Sequence, residues 1–428
     1  MKDYPIYLLP DKFDIDEKIK SEILKDYKRF GDEGLPDNVE GYILEKYKID
    51  LTAEYGPFTI KNPFGKSSGQ LSCNINQVKA DLEGGIGFVV LKTVIAQDES
   101  QHSNMAEWTV KAPKMVVEEI FSKKGQKGYT ITWKGRGWDK SFQDYLKFME
   151  EALSLSKSSN IPVIPSCKYH LPNPGEVYDE KEYRFTTKSL LSVWQRIMGN
   201  VPMALEQDFS PTLSGSDRNT DQQNIIDWLI NVPLNVKKWC RKGEIVLGLK
   251  LMNALYDDEF QVQMLKTITS AGCDADYAIT FNRLFDPNKV FEGKKGVAYG
   301  GWDLSDRNLR VLSAFRAWQY ESGTVKKDFS LSATGNINSG RLMVEYGLRG
   351  CCNGQIHTYF QLPQKNYRAR AGTRVQKALH ELYFNPVNGL ILTMEWLRDK
   401  KGIHSENGLI RWQDIYTFYK KQNIFKFF

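Results

Sequence analysis

Three stretches of this chain share one design. Asn76–Thr93 (NQVKADLEGGIGFVVLKT), Gln263–Asn282 (QMLKTITSAGCDADYAITFN) and Leu331–Thr358 (LSATGNINSGRLMVEYGLRGCCNGQIHT) each carry an amphipathic helix ending near a glycine: Gly84, Gly272 and Gly347. A bend of a few residues follows, then a short strand that closes on polar residues. Glycine suits the left-handed position just past a helix, and a short helix-to-strand loop follows from it. The strands GFVVLKT, DYAITFN and CCNGQIHT are nearly continuous in apolar or small residues, the pattern of strands covered on both faces.

Five further candidate strands are NPFGKSSG (62–69), IPVIPSC (161–167), PMALEQD (202–208), EIVLGLKL (244–251) and DFSLSATG (328–335). Helical segments such as KSFQDYLKFMEEALSL (140–155) and QNIIDWLINVPLNVKKWC (223–240) separate them. Eight βα units in sequence predict an α/β fold of the (β/α)8 TIM-barrel type. An open doubly wound sheet would call for a G-x-G-x-x-G turn after its first strand, and none is present. Residues 1–50 read as an N-terminal helical extension. LTAEYGPFTIKNP (51–63) reads as a hairpin turning at Gly56-Pro57 that leads into a barrel over 51–360. RVQKALHELYF and GLILTMEWLRDKKG make 361–428 a C-terminal helical cap.

Composition narrows the function classes. The 428 residues carry 58 basic and 52 acidic side chains, interleaved, for a net charge of +6. With no Lys/Arg block, a nucleic-acid partner is disfavoured and an anionic small ligand is the simpler account. Six cysteines at 73, 167, 240, 273, 351 and 352 form no C-x-x-C pair, which argues against an iron–sulfur or zinc site and against a disulfide framework. The N-terminus lacks the apolar run of a signal peptide, and no segment approaches the ~18 apolar residues of a spanning helix. The expectation is a cytoplasmic protein with no membrane and no metal.

In such a barrel, chemistry belongs where strands end and βα loops begin. The predicted ends carry Ser67-Ser68-Gly69, Lys92-Thr93, Ser166-Cys167, Gln207 and Ser210, Lys250, Asn282, Gly335-Asn336 and His357-Thr358. A lysine at such an end pairs with a carboxylate in most proteins. Two lysines at one mouth repel each other and bear a desolvation cost unless an anion or electron-rich group lies between them. Gly300-Gly301 and Gly335 suit a phosphate cup, and Ser339 is placed to cap a helix over Gly340–Glu345. A second cluster, SCKYHLPNPGE (166–176), brings Cys167 close to His170, with no third metal ligand or orienting group in sight.

Seven motifs in order, NPFGKSSG, GFVVLKT, ALEQDFSPT, LGLKL, AITFN, AYGGWDLS and SATGNINSG…CCNGQIHT, resemble the strand-end motifs of the dihydroorotate dehydrogenase family. This FMN-binding barrel group includes the flavin domain of dihydropyrimidine dehydrogenase, and the resemblance spans roughly residues 51–360. It implies FMN as cofactor, with Ser67, Ser68 and Gly69 beneath the flavin ring and Lys92 and Thr93 beside it. Lys250 would stand near N1 and the C2 carbonyl, where reduced flavin carries negative charge. Asn282 would serve both flavin and substrate. Gly300, Gly301, Gly335, Asn336, His357 and Thr358 would hold the phosphate. Ser210 falls on the position of the proton-transferring residue, with Lys92 as a second catalytic group.

The departures from the family are specific. The Asn-rich substrate loop between the second and third strands is replaced by TWKGRGWDKSF (132–142), and the asparagine after the base motif is Thr212. Asn336 and His357 stand where the family has glycine. A site without those amides is not built for dihydroorotate. Gln207, Thr212, Arg136 and Asn282 are the substrate-binding candidates, with Arg136 a clamp for an anionic group and Trp133 and Trp138 either substrate faces or packing anchors.

The resulting expectation is an FMN-dependent oxidoreductase acting on a CH–CH bond of a small cyclic, pyrimidine-like substrate. Its electron acceptor is unknown, and the barrel allows a homodimer. The alternatives are a non-redox barrel that binds FMN or another phosphate ligand, and a lyase or aldolase with a Schiff base on Lys92 or Lys250.

Overall fold

A computed structural model describes residues 4–109, 116–132, 137–209, 221–291, 293–324, 329–405, 407–421 and 423–427. Ten strands form one sheet: β1 (Phe64–Lys66), β2 (Phe88–Val90), β3 (Val94–Ile95), β4 (Val163–Ile164), β5 (Ser166–Lys168), β6 (Met203–Asp208), β7 (Ile245–Met252), β8 (Tyr277–Asn282), β9 (Ser330–Thr334) and β10 (Cys351–Ile356). All eight predicted strand regions are strands. The order is β3-β5-β6-β7-β8-β9-β10-β1-β2-β4, with every pairing parallel. Helices fill the crossovers, and the curled sheet they enclose is compatible with a TIM-like α/β fold. No described helix is long and apolar enough to cross a membrane.

Local chemistry accounts for the helix starts. Asn74, Ser141, Asp179, Asp221, Asp257 and Ser339 each accept a backbone N–H from the first turn of the helix they precede, satisfying donors that would otherwise lack partners. The predicted helix ends fare differently. Gly84 does cap Ile75–Glu83, but Gly272 lies beyond Thr269, the cap of Asp258–Ile268. Gly347 sits inside the helix Gly340–Leu348, and the left-handed turn falls to Gly350. Trp412 explains Gly347: a Cβ there would fall 2.6 Å from the indole.

The flanking segments pack onto this sheet-and-helix body. In the predicted hairpin, Ala53–Tyr55 pairs with Phe58–Ile60 and inserts the Tyr55 ring against Phe88, 4.1 Å between centroids. Leu8 and Leu9 donate backbone N–H bonds to Glu345, whose other partner is the buried Arg349 at 2.8 Å. Helix Glu17–Glu33 lies on Arg374–Phe384, where Tyr27 stacks on His380. Trp412 donates to the Cys352 carbonyl at 2.6 Å.

Two antiparallel hairpins escaped the sequence reading: Val116–Phe121 with Lys127–Thr132, and Leu284–Phe291 with Lys294–Tyr299. Their strands mix charged and apolar residues with no buried-strand run, because each hairpin stands partly in solvent. Glu118 ties them together through Lys289 at 2.6 Å.

The tightest junction is at Gly340, where a Cβ would meet the Leu390 backbone nitrogen at 1.9 Å and the Leu382 carbonyl oxygen at 2.5 Å. Backbone cannot rotate out of the way as a side chain can. Gly340→Ala is therefore expected to destabilise the protein by about 3 kcal/mol or more, read as a lower urea midpoint.

Candidate active site

The C-terminal strand ends open into one cavity of about 370 Å³. Ser67, Ser68, Gly69, Lys92, Thr93, Lys250, Asn282, Gly300, Gly301, Gly335, Asn336, His357 and Thr358 all line it. These positions lie up to 291 residues apart in sequence (67 to 358), and parallel strand registration is what gathers them. Ser210, Thr212, Trp133 and Arg136 lie outside the described residues.

Gln207 does not join the site. Its amide oxygen accepts from the Tyr169 backbone N–H at 3.2 Å, on the face of β6 that packs toward the helices. Strand side chains alternate, so the neighbours Glu206 and Asp208 point the other way, and Asp208 lines the cavity. The same alternation turns Cys167 outward while Ser166 faces in. The Cys167 thiol is buried and pushed well above its ordinary pKa by that burial. His170 is engaged by Glu176 at 3.1 Å and by the Asp179 backbone N–H at 3.3 Å, a structural network at the start of helix Glu180–Met198. Trp138 is a packing anchor, buried and stacked on Phe148 with centroids 5.3 Å apart.

From the cavity wall inward, hydroxyls form a chain: Ser68 Oγ to Thr93 Oγ1 at 2.8 Å, then Thr93 Oγ1 to the buried Ser166 Oγ at 2.9 Å. Lys250 Nζ donates to Ser67 Oγ at 3.3 Å, and Lys168 Nζ to the Asp208 carbonyl at 3.3 Å while lying over the Trp108 ring. Four cationic side chains line the space, Lys92, Lys168, Lys250 and Arg283; Lys127 also borders it, but its ammonium is exposed and pairs with Glu119 at 2.7 Å. Among the described lining residues, Asp208 is the only carboxylate. Burial lowers the Lys92 pKa to about 8, with Asp208 opposing that shift and Lys250 adding to it. Burial alone brings Arg283 down to about 9.

Asn336 and His357, at positions where the resemblance leads one to expect glycine, are accommodated differently. Asn336 takes a left-handed backbone (φ +54°) and donates to Ser305 Oγ at 3.1 Å. Gly335 beside it has φ +114°, and a Cβ there would fall 2.8 Å from Asn308 Nδ2, so only glycine fits. The His357 ring fills the space over Gly69, where a Cβ would stand 2.2 Å from Nε2. Both ring nitrogens are shielded from solvent and have no hydrogen-bond partner. Burial, then Arg283, Lys66, Lys92 and Lys250, hold this imidazole neutral. A neutral imidazole offers one hydrogen-bond donor and one acceptor, and this one lines the cavity.

Arg283, Asp208, Lys127, Tyr129 and Trp302 are lining residues the sequence reading missed. Asp208 was recoverable from strand alternation. Lys127 and Tyr129 come from a hairpin whose position over the strand ends only tertiary contacts decide: Trp302 Nε1 donates to the Lys127 carbonyl at 3.0 Å and Asn366 Nδ2 to Tyr129 Oη at 2.9 Å. No protein-family sequence model matches the chain, and no curated protein sequence matches it.

A buried lysine held near 8 costs stability wherever it is charged. The unfolded chain binds the proton more tightly, so between about 8 and the ordinary 10.5 stability rises with pH. Lys92→Met should therefore raise stability at pH 7 by about 3 kcal/mol and flatten that rise, as chemical denaturation at several pH values would read.

Proposed function

We propose that this chain is an FMN-dependent oxidoreductase of the dihydroorotate dehydrogenase-like kind, acting on a CH–CH bond of a small cyclic substrate. The fold behind the proposal is a (β/α)8 barrel. If β2 and β3 are one interrupted strand and β4 and β5 another, the sheet has eight strands. The pairings β2–β4 and β3–β5 then join its two ends.

One observation carries the reading: four cationic side chains and a neutral histidine line a cavity whose described lining has a single carboxylate. Positive charge gathered in this way around one described carboxylate suits an anionic occupant. A phosphorylated, electron-accepting ring system meets that demand in two places. The residues present fit it: His357, Thr358, Gly335, Asn336, Gly300 and Gly301 would take the phosphate, with Arg283 adding charge. The N-terminus of Trp302–Ser322 and the Ser339-capped start of Gly340–Leu348 lie on the same side. Ser67, Ser68, Gly69, Lys92, Thr93, Lys250 and Asn282 would hold the ring.

Bound FMN supplies a hydride acceptor. The chain's own part is to orient the substrate, exclude water and move a proton. Ser210 takes that proton in this reading, two residues beyond Asp208. The hairpin carrying Lys127 and Tyr129 shields the mouth. Because the family's substrate-gripping asparagines are replaced, the substrate is a relative of dihydroorotate in chemistry rather than dihydroorotate itself.

The purified protein should be yellow, with the two-band visible absorption of oxidised flavin, and should release FMN on denaturation. A colourless protein that takes up no FMN would sink the reading. Lys250→Ala should weaken FMN binding about tenfold, or ~1.4 kcal/mol. Ser210→Ala should keep FMN yet slow its anaerobic bleaching by substrate.

Lys92 supports a second reading. An amine held near pH 8 is an effective nucleophile, as a Schiff-base lyase requires. Borohydride trapping of a carbonyl compound on Lys92, in a flavin-free protein, would favour that chemistry instead.

A further inference from the structure

Beneath the cavity, the interior of the sheet holds a second polar cluster. Glu206 on β6 points inward and is fully buried. Tyr55, from the N-terminal hairpin, donates its hydroxyl to Glu206 Oε1, and Gln355 on β10 donates its amide to the same oxygen. Tyr277 on β8 stands behind Tyr55, with 3.4 Å between the hydroxyl oxygens. Glu206 Oε2 and Gln355 Oε1 are buried with no partner. A carboxylate with one bare oxygen in a dry interior is costly and asks for a compensating charge.

That charge is on the adjacent strand. In the β6–β7 register, Glu206 faces Gly248 and Asp208 faces Lys250, so Lys250 stands two residues nearer the cavity on the same inward face. Lys250 is buried and donates upward to Ser67 Oγ, a lining residue of the cavity. The groups facing Glu206 are thus Tyr55, Gln355, Tyr277 and Lys250, with Asp208 on its own strand. Burial raises the carboxyl's affinity for a proton; Lys250 opposes that most strongly and Asp208 adds to it.

We propose that Glu206 is a positioning residue, a buried counter-charge whose ionisation sets the electric field Lys250 presents to the cavity. With Glu206 neutral, the full positive charge of Lys250 acts on the ligand. With Glu206 ionised, part of that field is cancelled from below. What this does to a redox cofactor rests on the function proposed above, but the coupling between the two side chains does not.

The carboxyl C=O stretch tests the coupling directly. Infrared difference spectra of the full chain over a pH series should contain a protonated-carboxyl band that is absent from Glu206→Gln. In Lys250→Met its titration midpoint should move to higher pH, at least tenfold in proton affinity, because the opposing charge is gone. An unchanged midpoint in Lys250→Met would overturn the proposal, as would the same band persisting in Glu206→Gln. If Glu206→Gln does not fold, Tyr55→Phe serves for assignment: losing that hydrogen bond must shift the band's frequency, and an unshifted band overturns the proposal.

Where FMN is bound, its reduction potential gives a second readout. Wild type and Glu206→Gln should agree at pH values where Glu206 is protonated. Above its midpoint the variant should be easier to reduce, by about tenfold in relative affinity for the reduced form, or ~30 mV for a two-electron couple. A constant offset at every pH would mark a merely structural role and overturn the effect on the ligand. A chain that binds no FMN would defeat the proposed function while leaving the infrared test intact.

Discussion

The site depends on positive charge gathered at the strand ends. Lys92, Lys168, Lys250 and Arg283 converge there, and the described lining returns one carboxylate. Each cation is tolerated by local means: Lys250 by the Ser67 hydroxyl, Lys168 by a carbonyl and an indole face. Burial lowers the affinity of Lys92 and Arg283 for their protons, because charge is held away from water. Holding charged groups away from water costs stability, a common trade between stability and function.

Holding such a set in place requires a rigid surround. Parallel strand pairing aligns Asp208 with Lys250 and Lys250 with Ile279, so the ends of neighbouring strands arrive together. From outside, the N-terminal strap is tied to Glu345, which is itself bonded to the buried Arg349, and Trp412 ties the C-terminal segment to β10. From beneath, Tyr55 fills the interior and reaches Glu206, joining the hairpin to the polar cluster under the cavity. The termini thus brace the same body that carries the site.

Much of this was legible in the chain. Nearly continuous apolar runs such as GFVVLKT marked strands covered on both faces, and Ser339 marked a helix start, because both signals are local. Thirteen positions anticipated as cofactor-binding do line one cavity. Gln207 was misjudged because a motif names residues but not the face they occupy, and the pleat turns alternate residues to opposite sides. Arg283 went unnoticed because a single arginine in a loop carries no pattern. The hairpins Val116–Thr132 and Leu284–Tyr299 were invisible because partly solvated strands lack the apolar run on which the strand assignments relied.

By itself, then, the sequence determined the alternation of strands and helices and which residue types end each strand, since these follow from backbone propensity, capping and hydrophobic period within a few residues. Only the tertiary structure decided which of those ends share a cavity and which side chains face it. It also decided what lies beneath: Glu206 under Lys250, Tyr55 from a hairpin about 150 residues earlier, and a histidine with no partner over Gly69. Those outcomes depend on burial and on charges brought together across the fold. Neither property belongs to any one stretch of chain.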